Sequence, residues 1–205
     1  MLKILDNYQA FIFDMDGTLL DTMPAHLKAW ELTACHFGFP FTQEWLHSLG
    51  GMPSYKIAAE VNIKHQMALE PMEVSRYKMQ AFADLDDVAE PIPCTIDVLN
   101  YYHGKKKLAV GTGSQRESAI RLLTQAKLIE LFDAVVTATD VDNHKPNPDT
   151  FLKAASNMGV EASTCIVFED TKLGLRAAHA AGMDCMMVED EQLVFYPYEK
   201  QKEPR

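Results

Sequence analysis

Long apolar runs, paired cysteines and positive charge are all scarce in this 205-residue sequence. No apolar run approaches the roughly 20 residues that a membrane-spanning helix needs. The net charge of −10 argues against nucleic acid or an anionic membrane as the main partner, although a local site can still bind a small anion. The four cysteines form no C-x-x-C pair, so we expect reduced thiols instead of disulfides or a zinc site.

The N-terminus carries Asp6 and Asn7 where a signal peptide would keep its apolar stretch. We therefore expect a cytoplasmic protein. The apolar content of 47% is enough for a real hydrophobic core, so extensive disorder is not expected. We expect a monomer or a weak dimer.

Short apolar runs alternate with helical patterns in the second half of the sequence, which predicts an α/β fold with a Rossmann-like parallel sheet covered on both faces. "AFIFD" at 10–14 has the same character as these runs, so we expect it to join the sheet. The predicted later strands are "KLAVGTG", "FDAVVTA", "TCIVFED" and, as the last one, "DCMMVE". The tail "YPYEKQKEPR" is polar and is predicted to be frayed.

Between Gly17 and about Leu85 the patterns predict helices and no convincing strand. We therefore predict a small all-helical cap, residues 18–85, inserted after the first strand of a core formed by residues 1–17 and 86–205. Gly50 and Gly51 are expected to break two cap helices. Leu27, Trp30, Ala34 and Phe37 share one helical face and are expected to form part of the cap core.

The segment "FIFDMDGTLLDT" places Asp14 and Asp16 directly after an apolar run, where two nearby carboxylates repel each other. Three further polar clusters fall at or just past predicted strand ends: Thr112 with Ser114, Lys145, and Glu169 with Asp170. Parallel sheets bind ligands beyond the carboxyl ends of their strands. Carboxylates suit Mg²⁺, and a hydroxyl and a lysine suit phosphate oxygens, so an ion and Lys145 would offset the repulsion.

The segments "DMDGT", "VGTGS", "KPNPD" and "FEDTKLG" resemble, in this order, the four motifs of the haloacid dehalogenase superfamily. The helical insertion is similar to the cap of that superfamily, and within it the chain most resembles the beta-phosphoglucomutase-like branch of sugar phosphatases. The resemblance covers nearly the whole chain. It implies a Mg²⁺-dependent phosphatase that acts through an aspartyl-phosphate.

The resemblance also implies a role for each motif residue. Asp14 would be the nucleophile, and Asp16 would protonate the leaving oxygen and later activate water. The other implied ligands are shared between phosphate and metal: Thr112, Gly113, Ser114 and Lys145 for phosphate, and Asp170, Asp14 and the Asp16 carbonyl for Mg²⁺, with Glu169 assisting through water. His26, in the first cap helix, matches a histidine that faces the catalytic pair in related mutases and is a candidate for substrate binding.

Each of these residues also has an ordinary structural alternative. Asp14 and Asp16 could cap the following segment, Thr112 could be a turn residue, and Lys145 could be a solvated surface lysine. Glu169 could be an acid that only holds a loop. His26 could be a plain core or surface histidine.

Other functions on the same fold are alternatives to a phosphatase. A sugar-phosphate mutase would carry basic cap residues where this chain has Gly50 and Ser54. A phosphonatase would need a cap lysine such as Lys28, whose neighbours do not match, and a dehalogenase would not need the acid at Asp16. A non-catalytic sugar-phosphate sensor is a fourth reading. The favoured substrate is a small sugar phosphate, with fructose 1-phosphate first and 6-phosphogluconate next, and Gln43 and Ser54 as candidate contacts for hydroxyls.

Overall fold

The computed structural model describes residues 3–49, 52–85 and 89–199. Its strands are β1 Ala10–Phe13, β2 Leu20–Asp21, β3 Glu90–Pro91, β4 Lys107–Gly111, β5 Ala134–Val136, β6 Cys165–Glu169, β7 Asp184–Glu189 and β8 Gln192–Tyr196. Its helices are α1 Met23–Phe37, α2 Gln43–His47, α3 Ser54–His65, α4 Pro71–Ala83, α5 Pro93–Tyr102, α6 Arg116–Gln125, α7 Asp149–Met158 and α8 Lys172–Ala180. None of the helices described is long and apolar enough to cross a membrane.

A six-stranded sheet with the order β5-β4-β1-β6-β7-β8 forms the centre of the molecule. The first five strands of this order are parallel, which confirms the predicted α/β fold with a Rossmann-like sheet. Strand β1 lies between β4 and β6, and Phe13 pairs with Val110 on one side and Phe168 on the other. The carboxyl ends of these three strands therefore lie side by side.

Alternation along the strands separates the core into two layers, because successive side chains of a strand point to opposite faces. Phe11 and Phe13 pack into the layer that contains residues of α5 and α6. Ala10 and Ile12 pack into the layer that contains residues of α7 and α8. Helices therefore cover both faces of the sheet, as expected for parallel strands.

The helices α1–α4 lie between β1 and the later strands and have an apolar core of their own, and we call them the cap. Trp30 and Ala34 are buried in this core, and Leu27 and Phe37 pack against it, as the helical spacing predicted. The short helix α2 was not predicted. Gly50 and Gly51, expected to break two helices, lie outside the described residues.

Two corrections concern strands. The predicted strand "DCMMVE" exists as β7 but is not the last, because β8 returns antiparallel beside it. Asp190 and Glu191 turn the chain with φ angles of 47° and 60°, and neither is the glycine that usually marks a tight hairpin. Part of the tail predicted to be frayed is therefore ordered: Tyr196 belongs to β8, and the amide of Tyr198 donates to Asp184 Oδ1 at 2.6 Å. Residues 200–205 lie outside the described residues.

The prediction of no strand between Gly17 and Leu85 was also wrong. The two-residue strand β2 pairs antiparallel with β3, where the chain returns from the cap to the core. A strand of two residues carries no periodicity, so only the pairing across about 70 residues defines it. The proposed boundaries at 17/18 and 85/86 fall beside this pair, and residues 86–88 are outside the described part of the chain.

Candidate active site

The ends of β1, β4 and β6 bring the predicted polar residues to one place. Asp14 directly follows β1, Thr112 directly follows β4, and Glu169 with Asp170 closes β6. Because these strands are neighbours in register, their end residues meet beneath the cap. This is the point where the strand order diverges to both sides of β1, which is where open α/β sheets bind ligands.

Lys145 joins the two buried acids of this site. Its Nζ donates to Asp14 Oδ1 at 2.7 Å and to Glu169 Oε1 at 2.6 Å, and all three side chains are almost completely buried. Burial disfavours the lysine charge, but the two carboxylates outweigh it and raise the pKa of Lys145 above its ordinary value. Lys145 is therefore a fixed buried cation and not a solvated surface lysine.

Glu169 has its oxygens occupied by protein donors. While Oε1 accepts from Lys145, Oε2 accepts from the amides of Asp170 and Thr171 at 2.9 and 2.7 Å and from the Thr171 hydroxyl at 2.9 Å. The first turn of α8 leaves space for this carboxylate only because residue 174 is glycine: a Cβ there would collide with Glu169. Glu169 thus holds Lys145 and the loop after β6 in place.

Asp170 lies beside the sharp turn that follows β1. Gly17 has a φ of +80°, and a Cβ at this position would collide with the Asp170 carboxylate. The Thr18 hydroxyl donates to Asp170 Oδ1 at 3.2 Å. A glycine is therefore required on two counts, because the backbone is left-handed and the carboxylate approaches it closely.

A divalent cation fits among these acids. Asp14, Glu169 and Asp170 each offer an oxygen within 4.8 Å of the others. Burial, followed by the charges of Glu169 and Asp14, raises the pKa of Asp170 to about 9. Burial likewise raises the pKa of Asp14 to about 7, although Lys145 opposes the shift. The protein places more negative charge here than Lys145 offsets, and an oxygen-only donor set suits Mg²⁺.

The side chain of Asp16 points away from this acidic group and into a separate hydrogen-bond network. Its Oδ1 accepts from the Thr22 hydroxyl at 2.7 Å and lies 3.2 Å from His26 Nε2. Burial favours the protonated acid, but hydrogen bonds from His26, Ser114 and Thr22 outweigh it and hold the pKa of Asp16 well below its ordinary value. Asp14 and Asp16, two residues apart, therefore face different partners.

The predicted phosphate ligands lie at the same network. The hydroxyls of Thr112 and Ser114 donate to Asp16 Oδ2 at 3.3 and 2.6 Å. Both residues line the cavity under the cap together with Gly113. In this structure the hydroxyls expected to hold phosphate are thus committed to Asp16.

A lysine that sequence reasoning missed completes this side of the site. Lys78 of α4 is 2% exposed and places Nζ 2.6 Å from His26 Nδ1, and the His26 ring stacks on Phe82. Burial lowers the pKa of Lys78 to about 8, although Asp16 opposes the shift. Burial and the Lys78 charge lower the pKa of His26, and Asp16 only partly offsets them. A signal was available, since Lys78 lies four residues from both Val74 and Phe82 on the buried face of α4.

The cavity between cap and strand ends is small. It encloses about 80 Å³, well below the roughly 300–1,000 Å³ of typical ligand pockets. Its cap wall is largely apolar, with side chains such as Leu27, Trp30 and Ile57, and Ser54 also contributes. Gln43 is not among the lining residues. A phosphorylated metabolite needs more room than this arrangement of cap and core provides.

The fold, the buried lysine–carboxylate group and the capped cavity together define a capped α/β protein with an acidic site at the carboxyl ends of its central strands. The family model described as haloacid dehalogenase-like hydrolase matches residues 11–188. The chain belongs to this family and is a phosphatase.

Two similar proteins support this assignment, and a solved structure shares the fold. The fructose-1-phosphate phosphatase YqaB of Escherichia coli is 44% identical over 89% of this chain and 97% of its own length. A phosphorylated carbohydrates phosphatase of Thermotoga maritima is 30% identical over 86% of this chain and 82% of its own length. The crystal structure of beta-phosphoglucomutase from Clostridium difficile shares the fold, with a TM-score of 0.77 at 24% identity over 89% of this chain and 85% of that one.

Proposed function

We propose that this protein is a Mg²⁺-dependent phosphatase that hydrolyses a small sugar phosphate through a phosphate ester of Asp14. The observation that carries the proposal is the buried Asp14 carboxylate, 2.7 Å from Lys145 and lining the cavity under the cap. The similarity to phosphatases of fructose 1-phosphate and of phosphorylated carbohydrates supports the substrate class.

Mg²⁺, held by Asp14, Asp170 and the Asp16 carbonyl, would supply positive charge to offset that of the phosphate. An Asp14 oxygen attacks phosphorus, the bond from phosphorus to the sugar oxygen breaks, and Asp16 donates a proton to that oxygen. Asp16 then accepts a proton from a water that attacks the same phosphorus, which releases inorganic phosphate and restores Asp14. Lys145 stays bound to Asp14 and lowers the repulsion between carboxylate and phosphate.

The network around Asp16 supports a coupling between substrate binding and acid catalysis. Thr112 and Ser114 donate to Asp16 and stabilise its ionised form. A bound phosphate would compete for both hydroxyls and add negative charge, and both effects raise the pKa of Asp16 toward the protonated acid. Lys78 donates to His26 Nδ1, so the proton of the neutral ring is on Nε2, which faces Asp16.

Mutase activity is the second candidate, and Lys78 is the observation that favours it. The sequence lacks the basic residues of related mutases at Gly50 and Ser54, which predicted that a second phosphate would be poorly held, yet the buried Lys78 ammonium lines the cavity. Ser54, at one of the two positions where related mutases are basic, only donates weakly to Met79 Sδ at 3.7 Å. One lysine in place of two basic residues favours hydrolysis.

The test is kcat/KM for fructose 1-phosphate, 6-phosphogluconate, β-glucose 1-phosphate and a nucleoside monophosphate, with Mg²⁺ and with EDTA. We expect Mg²⁺-dependent release of phosphate, with the first two substrates preferred. Asp14→Asn should reduce turnover to background while the protein stays folded. A nucleotide preference, conversion of β-glucose 1-phosphate to glucose 6-phosphate, or full activity in EDTA would refute the proposal.

A further inference from the structure

One hydrogen bond joins the later cap helices to the loop that carries Lys145. The Tyr55 hydroxyl, in the first turn of α3, lies 3.0 Å from His144 Nε2, and the two rings meet edge to face at 6.2 Å. Among the described residues, no other side-chain hydrogen bond connects α2, α3 or α4 to the core. Tyr55 and His144 have no part in the chemistry proposed above.

His144 depends on this contact. Its side chain is 5% exposed, and its Nδ1 is buried without a hydrogen-bond partner in the described structure. The bond from Tyr55 is therefore the only one that satisfies this buried ring. A buried polar ring with one satisfied nitrogen is sensitive to the loss of that partner.

Tyr55 and His144 are both adjacent in sequence to residues of the candidate active site. Tyr55 follows Ser54 and precedes Ile57 by two residues, and both of these line the cavity. His144 directly precedes Lys145, which is bound to Asp14. The contact thus connects the wall of the substrate cavity with the backbone that positions the buried lysine.

We propose that Tyr55 and His144 are a positioning pair that holds the cap against the core during catalysis. The cavity of about 80 Å³ is too small for a sugar phosphate, so the proposal takes the cap to open for substrate to enter, and opening would separate Tyr55 from His144. The bond therefore favours the arrangement in which His26 of the cap reaches Asp16. The proposal rests on the proposed function only for its kinetic readout.

The two tryptophans of the chain, Trp30 and Trp45, both lie in the cap and allow a readout that needs no ligand. Trp30 is 2% exposed and lines the cavity, so an opening cap exposes it to water. In a Trp45→Phe background, acrylamide quenching of Trp30 measures this exposure. We expect stronger quenching in Tyr55→Phe, which keeps the ring and loses only the hydroxyl, and in His144→Phe, which replaces the imidazole with an aromatic ring that cannot form the hydrogen bond.

Tyr77→Phe is the matched control, because Tyr77 is a cap tyrosine that packs on His36 and forms no hydrogen bond to the core within the part of the chain that the structure describes. Acrylamide quenching of Trp30 in Trp45→Phe/Tyr77→Phe should equal that in the Trp45→Phe parent. kcat/KM for the preferred phosphate ester should fall about 2- to 12-fold in Tyr55→Phe and His144→Phe, the range of one neutral hydrogen bond. The double variant should lose no more than either single one, and His144→Gln should recover most of the loss.

The proposal is overturned if Tyr55→Phe is quenched no more than Tyr77→Phe, or if the two single losses add in the double variant. A wrong sugar-phosphate assignment would change the substrate preference but would leave the quenching differences in place. The two failures are therefore distinguishable.

Discussion

At the scale of single residues, the site divides two neighbouring acids into different chemical states. Asp14 is paired with Lys145 and has a raised pKa, whereas the pKa of Asp16 is lowered by three kinds of hydrogen-bond donor. Burial alone would raise both values, so the partners decide the difference. The two acids therefore have separate partners, and the proposed roles require bound metal to ionise Asp14 and bound phosphate to protonate Asp16.

Asp16→Asn tests the second of these roles. Acid catalysis matters most for poor leaving groups, so we expect a loss of about 10²- to 10⁴-fold on a sugar phosphate and a much smaller loss on p-nitrophenyl phosphate. The measurement is kcat/KM on both esters. Equal losses would mean that Asp16 only positions the substrate.

Lys78→Met tests the lysine that only the structure identified. Methionine keeps the chain length, but the charged hydrogen bond to His26 is lost, and we expect kcat on the sugar phosphate to fall about 10- to 150-fold. Lys64→Met is the control, because Lys64 is an exposed cap lysine that stacks on Trp45. If both variants behave alike, the effect comes from cap charge and not from the contact with His26.

At the scale of elements, the junction of β6 and α8 depends on a missing side chain. Gly174→Ala improves helix propensity by about 1 kcal/mol, yet its Cβ would overlap Glu169 and push it away from Lys145. We expect a net loss of about 1–3 kcal/mol in the free energy of unfolding, the typical cost of overpacking, together with lower activity. Urea denaturation measures the first effect.

A rescue variant separates this clash from other causes. Glu169→Asp shortens the acid by one methylene and makes room for a Cβ at residue 174. The loss in free energy of unfolding in Gly174→Ala/Glu169→Asp should therefore be smaller than the sum of the losses in the two single variants. Strict additivity would show that residue 174 and the carboxylate do not compete for space.

At the scale of the whole molecule, the uncompensated acids make stability depend on metal and pH. The pKa values of Asp14 and Asp170 in the folded protein, about 7 and about 9, exceed the ordinary value of 3.8 in the unfolded chain. Their contribution is therefore fully present below about pH 4 and is lost as the pH rises through 7 and 9. With EDTA, Tm should fall between pH 6 and 9.

Mg²⁺ should reverse this trend by replacing the protons. We expect added Mg²⁺ to raise Tm, and to raise it more at pH 8.5 than at pH 6.5. In a chain of this size, each 1 kcal/mol gained in the free energy of unfolding raises Tm by about 2–4 °C. Metal-free Asp170→Asn should melt above the metal-free parent and gain little from Mg²⁺. An equal Mg²⁺ effect in parent and variant would exclude Asp170 as a ligand.

Whether the sequence predicted an element depended on whether the pattern that indicates it lies among neighbouring residues or requires distant ones. The strands β1, β4, β5, β6 and β7 and the helices α6, α7 and α8 were predictable, because apolar periodicity is a property of neighbouring residues, whereas α5 was not predicted. The strand β8 was missed because its turn, Asp190-Glu191, lacks glycine, and β2 because it exists only through its pairing with β3. Lys78 was missed although its spacing from Val74 and Phe82 placed it on a buried face.

The sequence by itself determined which polar residues end the strands, and therefore which of them could meet at one edge of a parallel sheet. Only the tertiary structure decided the partners of each side chain. Asp16 contacts Thr112 and Ser114 across 96 and 98 residues, Lys78 contacts His26 across 52, and Tyr55 contacts His144 across 89. Such contacts depend on which strands are neighbours in the sheet, on how the cap helices pack on one another and, for Tyr55 and His144, on how the cap packs on the core; hydrogen-bond geometry at 3 Å is settled by that packing and not by local sequence.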